Sequence, residues 1–177
     1  MIRPDFRKIL LDQRGAAVIL WSFFFMSVPI YVAIARHLLN DPDLGTNPSI
    51  ARPARIFFWL LAVIDIGYYF YWRDRKVSAA AIQREARKTK LFRALESYQG
   101  AAEERAAYAV ATLVTRKVVI FAIIEALAVY GFVLAFLGRF VADQIVLSLL
   151  SLVLLAVEFP SVKSFDKLLQ NTEGWTS

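Results

Sequence analysis

The stretch that decides the fold is Val118-Val-Ile-Phe-Ala-Ile-Ile-Glu-Ala-Leu-Ala-Val-Tyr-Gly-Phe-Val-Leu-Ala-Phe-Leu137. The run is long enough to cross a bilayer, because the hydrocarbon core needs about 20 helical residues. Glu125 lies inside it, and a charge at that depth costs roughly 2.5–3.5 kcal/mol on insertion scales. We therefore predict a membrane span in which Glu125 is neutralised, paired or turned toward other helices. This carboxylate is the first candidate functional residue.

Working outward from this run, the composition predicts three further spans. The chain has 177 residues, of which 58% are hydrophobic, and a mean hydropathy of +0.50. Soluble domains usually contain about 45–50% apolar residues, so the excess belongs in lipid-facing segments. The predicted spans cover residues 16–36, 55–72, 117–138 and 142–159. The sequence thus predicts an all-α polytopic membrane protein, one membrane domain whose four transmembrane helices form two hairpins.

The distribution of positive charge predicts the orientation of these helices. Of the 21 Lys and Arg residues, 17 lie before the first span, between the second and third spans, or after the fourth. Cytoplasmic segments beside membrane spans carry such an excess under the positive-inside rule. We therefore expect both termini on the cytoplasmic side of a bacterial inner membrane. The basic residues before residue 16 resemble the start of a signal peptide, but the long run after them favours a retained first span.

Two polar segments connect and follow the spans on the cytoplasmic side. Residues 73–116 are rich in good helix formers and predict a helical cytoplasmic loop. Its first part could lie on the membrane surface, dock a cytosolic partner or form a solvated hairpin. Residues 160–177 form a tail, which we expect to make one short interfacial turn. On the other side, Asp41 and Asp43 lie in a loop whose turn formers explain them better than a metal site does.

The composition argues against several function classes. The chain has no cysteine and a single histidine, His37, so it offers few nucleophiles or metal ligands. It shows no cluster typical of a membrane-embedded enzyme, and we expect no catalysis, cofactor or bound metal. The basic residues lie beside predicted spans, where orientation and anionic lipid headgroups account for them. A nucleic-acid partner is therefore not expected.

Residues near the cytoplasmic membrane boundary predict an interface belt, because the second span ends in aromatic side chains that are followed by basic ones. The belt residues are Trp72, Arg73, Arg75, Lys76, Arg116 and Lys117. Asp65, about two turns inside that boundary, is a second carboxylate at membrane depth. We expect a tyrosine or a neighbouring helix to cap it.

The segment Glu125-Ala-Leu-Ala-Val-Tyr-Gly-Phe-Val-Leu-Ala135 resembles the ion-carrying helix of the proteolipid (c-type) subunit of rotary ATPases. That helix has an essential membrane carboxylate, followed by small residues, an aromatic residue and glycine. The resemblance covers these residues alone. It implies that Glu125 binds a proton or a sodium ion. Asp65 or Tyr130 would then serve as a relay, and the three residues would form an ion-binding site.

As a whole, the chain resembles a group of small bacterial four-helix membrane proteins without an assigned activity. The likeness is carried by Glu125-Ala126, the turn Gly138-Arg139 and the exit Phe159-Pro160. It implies a fold and a location. The expected function is a non-catalytic accessory or scaffold subunit, with membrane-complex partners or as a homo-oligomer. Glu125 would then hydrogen-bond across the bundle to Tyr68, Tyr69, Ser148 or Ser151. The alternative is proton or sodium translocation through Glu125.

Overall fold

The computed structural model describes residues 2–40, 48–78, 81–82 and 98–173, and within them every regular element is helical. The helices are α1 (Pro4–Leu39), α2 (Pro48–Lys76), α3 (Ala101–Gly138), α4 (Val141–Val157) and α5 (Val162–Glu173). The predicted all-helical fold is confirmed for these residues. The loop with Asp41 and Asp43, and most of the first helical piece predicted within residues 77–98, lie outside the described residues.

Three of the helices are longer than the spans predicted within them. With 36 residues in α1 and 38 in α3, each reaches well over 50 Å at about 1.5 Å per residue. A hydrocarbon core is about 30 Å thick, so α1 and α3 have the length to cross it and continue beyond. α1 remains one helix through Pro29. The turn from α3 to α4 is very short, and Arg139 adopts a left-handed conformation there with φ of 56°.

Within the described residues, two or three helices are long and apolar enough to cross a membrane. α1 and α3 meet this description by themselves. α4 has 17 residues, or about 26 Å of helix. It becomes long enough only together with α5, from which it is bent by 47°. α2 is not among these candidates, so a membrane protein is indicated and the number of four spans stays a prediction.

The chain divides into two compact units. The basic unit comprises Met1–Trp21, Tyr71–Val119 and Phe159–Ser177, and the apolar unit comprises Ser22–Phe70 and Ile120–Glu158. The basic unit contains 17 of the 21 Lys and Arg residues, and the apolar unit contains the other four, Arg36, Arg52, Arg55 and Arg139. The division of the fold therefore coincides with the division of charge along the sequence.

The basic unit has a hydrophobic core of its own. Phe6 and Leu10 of α1 pack in one cluster with Val110 of α3 and with Phe165 and Leu169 of α5. All five side chains are buried. We expected one short interfacial turn in the tail, whereas the structure has a 12-residue helix there. Phe165, Leu168 and Leu169 recur every three or four residues, so they lie on one face of this helix. That face packs in the core of the basic unit.

The apolar unit presents large apolar side chains outward. The exposed fraction is 72% for Phe23 of α1, 63% for Val63 of α2 and 59% for Val153 of α4. Water-soluble proteins rarely expose contiguous apolar patches of this kind, whereas a bilayer solvates them. The interior of the unit contains Ala62, Leu127, Leu134 and Leu147, drawn from α2, α3 and α4.

Candidate functional site

The part of α3 in the apolar unit presents three faces to three different helices. Successive residues of an α-helix turn by about 100°, so Phe121, Glu125 and Phe132 share one face. Phe121 packs on Phe24 of α1, with ring centroids 6.0 Å apart, and Phe132 packs on Tyr31 of α1 at 5.8 Å. Glu125 is thereby directed toward α1, between two aromatic contacts.

Glu125 accepts hydrogen bonds from two hydroxyl groups of α1. Its Oε1 lies 2.5 Å from Ser27 Oγ and 2.9 Å from the Tyr31 hydroxyl. Ser27 Oγ also lies 2.8 Å from the carbonyl oxygen of Phe24. The serine has one proton for these two acceptors. The arrangement is therefore satisfied when Glu125 is ionised and Ser27 donates to it, and also when Glu125 is protonated and Ser27 donates to Phe24.

Asp65 and Tyr130 form a separate pair on another face of α3. The Tyr130 hydroxyl donates to Asp65 Oδ2 of α2 at 2.7 Å, and the Tyr130 ring packs on Phe58 with centroids 5.5 Å apart. Tyr130 follows Glu125 by five positions, which turns it about 140° away around the helix. The expected tyrosine cap on Asp65 is confirmed. The three residues of the predicted ion site thus lie in two hydrogen-bonded groups, Glu125 with α1 and Tyr130 with Asp65.

A third carboxylate of the apolar unit is also held by a tyrosine. The Tyr69 hydroxyl of α2 donates to Glu158 Oε1 at 2.9 Å, and both side chains are buried. Glu158 directly follows α4, and its backbone N–H bonds the carbonyl of Leu154. Glu158 lies near the end of the fourth predicted span, and its spacing from Tyr69 gives no signal of this pair.

Arg55 and Asp143 join α2 to the start of α4. Arg55 Nε lies 2.6 Å from Asp143 Oδ2, and a second guanidinium nitrogen donates to Oδ1 at 3.0 Å. The ion pair therefore has one charge-assisted hydrogen bond, to Oδ1, because Oδ2 has no hydrogen-bond partner among the described residues. The guanidinium also lies over the Phe140 ring, 4.9 Å from its centroid. Asp143 is buried in the first turn of α4, where the helix dipole favours a negative charge.

α4 buries several polar residues, while many of its apolar residues are exposed. Gln144, Ser148 and Ser151 recur at a helical spacing and are all buried, whereas Leu149 and Val153 are exposed. Helices of water-soluble proteins bury apolar side chains and expose polar ones. The opposite arrangement suits a helix whose outer face contacts lipid. The signal was present in the sequence as polar residues at i, i+4 and i+7 within a leucine-rich run.

The polar residues of α4 contact both α1 and α3. Gln144 Nε2 donates to the carbonyl of Tyr31 at 3.2 Å, and Ser151 Oγ donates to the carbonyl of Ile124 at 3.0 Å. Ser148 Oγ is buried without a hydrogen-bond partner among the described residues. α3 approaches α4 closely at Gly131, where an added Cβ would lie 3.0 Å from the Cα of Gln144.

Among the described residues of the apolar unit, hydrogen bonds link five pairs of helices. They join α1 to α3 and to α4, α2 to α3 and to α4, and α3 to α4. Two of the partners expected for Glu125 bond elsewhere, since Tyr69 bonds Glu158 and Ser151 bonds Ile124. The hydroxyls that do bond Glu125, Ser27 and Tyr31, belong to α1, which was not among the expected partners.

A cleft of about 300 Å³ lies between the last turns of α1 and the first turn of α4. Its polar lining consists of Arg36 of α1, Asn40 directly after α1, and Gln144 of α4. Gln144 bonds the backbone of Tyr31, whose hydroxyl bonds Glu125. Gln144 and Tyr31 therefore connect the lining of the cleft to the carboxylate through two hydrogen bonds.

In the basic unit, one carboxylate bonds the backbone near the starts of two helices. Glu103 Oε1 accepts from the backbone N–H of Arg3 at 3.1 Å and from Arg3 Nε at 2.8 Å. Its Oε2 accepts from a terminal guanidinium nitrogen of Arg3 at 2.9 Å and from the backbone N–H of Gln99 at 2.8 Å. The Arg3 side-chain bonds, followed by the Gln99 bond, lower the pKa of Glu103 to about 2.

The predicted interface residues all lie in the basic unit. Arg73 and Arg75 are exposed at the end of α2, Trp72 and Lys76 are partly exposed, and Lys117 is buried. The Arg116 guanidinium donates to the carbonyl of Lys76, the last residue of α2. A cation at a helix C-terminus satisfies carbonyls that have no partner within the helix.

Within the part of the chain that the structure describes, no three His, Asp or Glu side chains gather into a group able to hold a metal ion. Comparison of the chain with protein-family models, with curated proteins and with solved structures finds no match.

Proposed function

We propose that the protein is a non-catalytic integral membrane protein that serves as an accessory or scaffold subunit. The observation that carries the proposal is the use of the carboxylates in the apolar unit. Glu125, Asp65 and Glu158 each accept a hydrogen bond from a hydroxyl on a different helix. In hydrocarbon such bonds contribute about 0.6 kcal/mol each on average, and several together fix the register of packed helices. The carboxylates then stabilise the packing of one helix on another.

We further propose that all four helices of the apolar unit cross the membrane. This is supported by exposed apolar side chains on α2 and α4 as well as on α1, among them Leu60 and Ile64 of α2 and Leu149 of α4. The buried polar stripe of α4 supports the same placement. The short α4 would be accommodated by local thinning of the bilayer or by its flanking residues.

The proposed orientation places both termini in the cytoplasm of a bacterium, with the protein in the inner membrane. It is supported by the concentration of Lys and Arg in the three sequence segments of the basic unit. A scaffold acts through partners, and these would be other membrane-complex subunits or further copies of this chain.

A second function, proton or sodium translocation through Glu125, is favoured by one observation. Ser27 can direct its hydroxyl to Glu125 or to Phe24, so the site accommodates both protonation states of the carboxylate. Against this function, the cleft that reaches Gln144 is lined by Arg36, and a fixed positive charge repels cations. The scaffold function is therefore the better supported one.

Carbodiimide labelling of Glu125 in detergent across a range of pH separates the two functions, with Glu125→Gln as the control. The scaffold proposal expects no labelling at any pH and a Gln variant that assembles normally, because the amide oxygen still accepts from Ser27 and Tyr31. Labelling that rises on protonation and is blocked by sodium would contradict it. Proton uptake by reconstituted vesicles, lost in Glu125→Gln, would establish translocation instead.

A further inference from the structure

We infer that the cleft between α1 and α4 binds an anionic phospholipid, with the phosphate at Arg36 and part of one acyl chain along the apolar walls. The inference rests on placement of α1 and α4 in a membrane and does not depend on the scaffold role. It assigns a specific lipid site to a cleft of which one lining residue, Gln144, also bonds the backbone of α1.

The chemistry of the walls selects an amphiphile. Four of the lining side chains are apolar, Val32 and Leu39 from α1 and Val141 and Ile145 from α4. Val141 and Ile145 are themselves exposed, so the wall continues into the outward apolar surface of α4. A soluble ion or polar metabolite makes few favourable contacts with such walls. An acyl chain fills the cleft and makes van der Waals contacts with the apolar side chains that line it.

The charge in the cleft selects an anionic head group. Arg36 forms no ion pair or hydrogen bond with any described residue, in contrast to Arg55, which is paired with Asp143. The carboxylate of Asp143 in the neighbouring turn of α4 is already neutralised by Arg55, so it does not compete for Arg36. Asn40 adds an amide donor beside it. A guanidinium with a nearby amide is a suitable donor set for phosphate oxygens.

The size of the cleft limits what enters it. At about 300 Å³ it has roughly twice the volume of an engineered 150 Å³ cavity that binds benzene. This space holds a segment of one acyl chain, so the rest of the lipid would remain in the bilayer. The site thus resembles a groove that fixes one lipid at its head group.

Native mass spectrometry of the detergent-solubilised full chain provides the test, with phosphatidylglycerol and phosphatidylcholine as the probes. The wild type is expected to bind phosphatidylglycerol in preference to phosphatidylcholine. Arg36→Gln should weaken phosphatidylglycerol binding at least about fivefold, because it removes a charge-assisted contact. Arg52→Gln is the matched control, since it removes the same charge from the apolar unit outside the cleft and should leave binding unchanged.

A second variant, Val32→Trp, fills the cleft and should reduce binding while leaving Arg36 in place. Thermal unfolding of each variant identifies any that fails to fold. Asn40→Leu, which removes the amide donor from the cleft, then takes the place of that variant and should also weaken phosphatidylglycerol binding. Equal effects of Arg36→Gln and Arg52→Gln would overturn the inference, since the response would then follow net charge. Stronger binding of a free fatty acid, or displacement of the lipid by inorganic phosphate alone, would also overturn it.

Discussion

At the scale of single residues, two serines on one face of α4 lie in opposite situations. Ser148 is buried without a hydrogen-bond partner among the described residues, whereas Ser151 donates to the carbonyl of Ile124. A buried polar group without a partner costs about 1–3 kcal/mol, and an interhelical bond in a membrane contributes about 0.6 kcal/mol. The same substitution should therefore have opposite effects at the two positions.

We predict that Ser148→Ala stabilises the folded protein and that Ser151→Ala destabilises it by about 0.6 kcal/mol. Thermal unfolding of both variants in one detergent, followed by tryptophan fluorescence, provides the measurement. Since each variant is the control for the other, a loss of stability in both would show that Ser148 has a partner.

Glu103 gives a prediction for acid stability. Its pKa of about 2 in the folded protein lies below the usual value of 4.5, because Arg3 and the backbone of Gln99 favour its ionised form. Its contribution to stability is complete above pH 4.5 and is lost as the pH falls toward 2. We expect Glu103→Gln to destabilise the protein at neutral pH and to make it less sensitive to acid in this window.

Unfolding midpoints of the wild type and Glu103→Gln measured over that pH range give the test. Glu104→Gln is the control, because Glu104 accepts its bond from Tyr108 in the same helix. A constant difference between wild type and Glu103→Gln down to pH 2 would contradict the prediction.

At the scale of helices, the approach of α3 to α4 depends on Gly131. A Cβ added there would lie 3.0 Å from Gln144 Cα and 3.2 Å from Leu147 Cβ. At Gly67 in α2, no atom lies within 4 Å of an added Cβ. Gly131→Ala is expected to destabilise by about 1–3 kcal/mol through overpacking. Gly67→Ala should stabilise by about 0.5–1 kcal/mol through helix propensity.

Chemical unfolding of the two glycine variants checks this expectation. Both variants replace glycine by alanine in helices of the same unit. A difference in sign between their changes in unfolding free energy therefore reports the close contact of α3 with α4 at Gly131. If Gly131→Ala were as stable as Gly67→Ala, α4 would have to shift freely away from α3.

Much of the helical arrangement follows from the sequence, because the apolar runs and the charge blocks are long and separate. The partners of Glu125 do not follow from it. Selecting Ser27 and Tyr31 requires the rotation of α1 about its axis, and a nearly continuous apolar run such as residues 16–35 does not determine that rotation. The sequence indicates a tyrosine cap for Asp65, but it does not select Tyr130, which lies 65 positions away on α3.

The pair of Arg55 and Asp143 was missed for a related reason. The residues are 88 positions apart, and the position of either one within its own helix does not indicate the other. The signal that was available is the acidic residue in the first turn of α4. Such a residue in a predicted span requires a cation from another segment, and few arginines lie on that side.

At the scale of the whole molecule, the chain has no cysteine, so introduced cysteines report membrane exposure without background. We predict that Arg52→Cys reacts with an impermeant maleimide from outside intact cells. Arg75→Cys should react only after the membrane is opened, since it lies among the basic residues after the second predicted span. Val63→Cys and Val153→Cys should resist the reagent in both conditions, because their exposed side chains face lipid.

Reaction of Val63→Cys or Val153→Cys in intact cells would mean that α2 or α4 does not cross the bilayer. Reaction of Arg75→Cys from outside would reverse the orientation. Both outcomes leave the hydrogen bonds within the apolar unit unaffected, so topology is tested separately from function.

The contacts of Glu103 have a consequence for how the protein is made. The residues of the Arg3–Glu103 pair are 100 positions apart, and Arg7 pairs with Asp166 at a distance of 159 positions. At about 5–20 residues per second, ribosomes need on the order of 5–20 s to reach Glu103 after Arg3. The start of α1 therefore emerges from the ribosome before its final contacts can form. The basic unit can be completed only near the end of translation, after the first hydrophobic segments have met the insertion machinery.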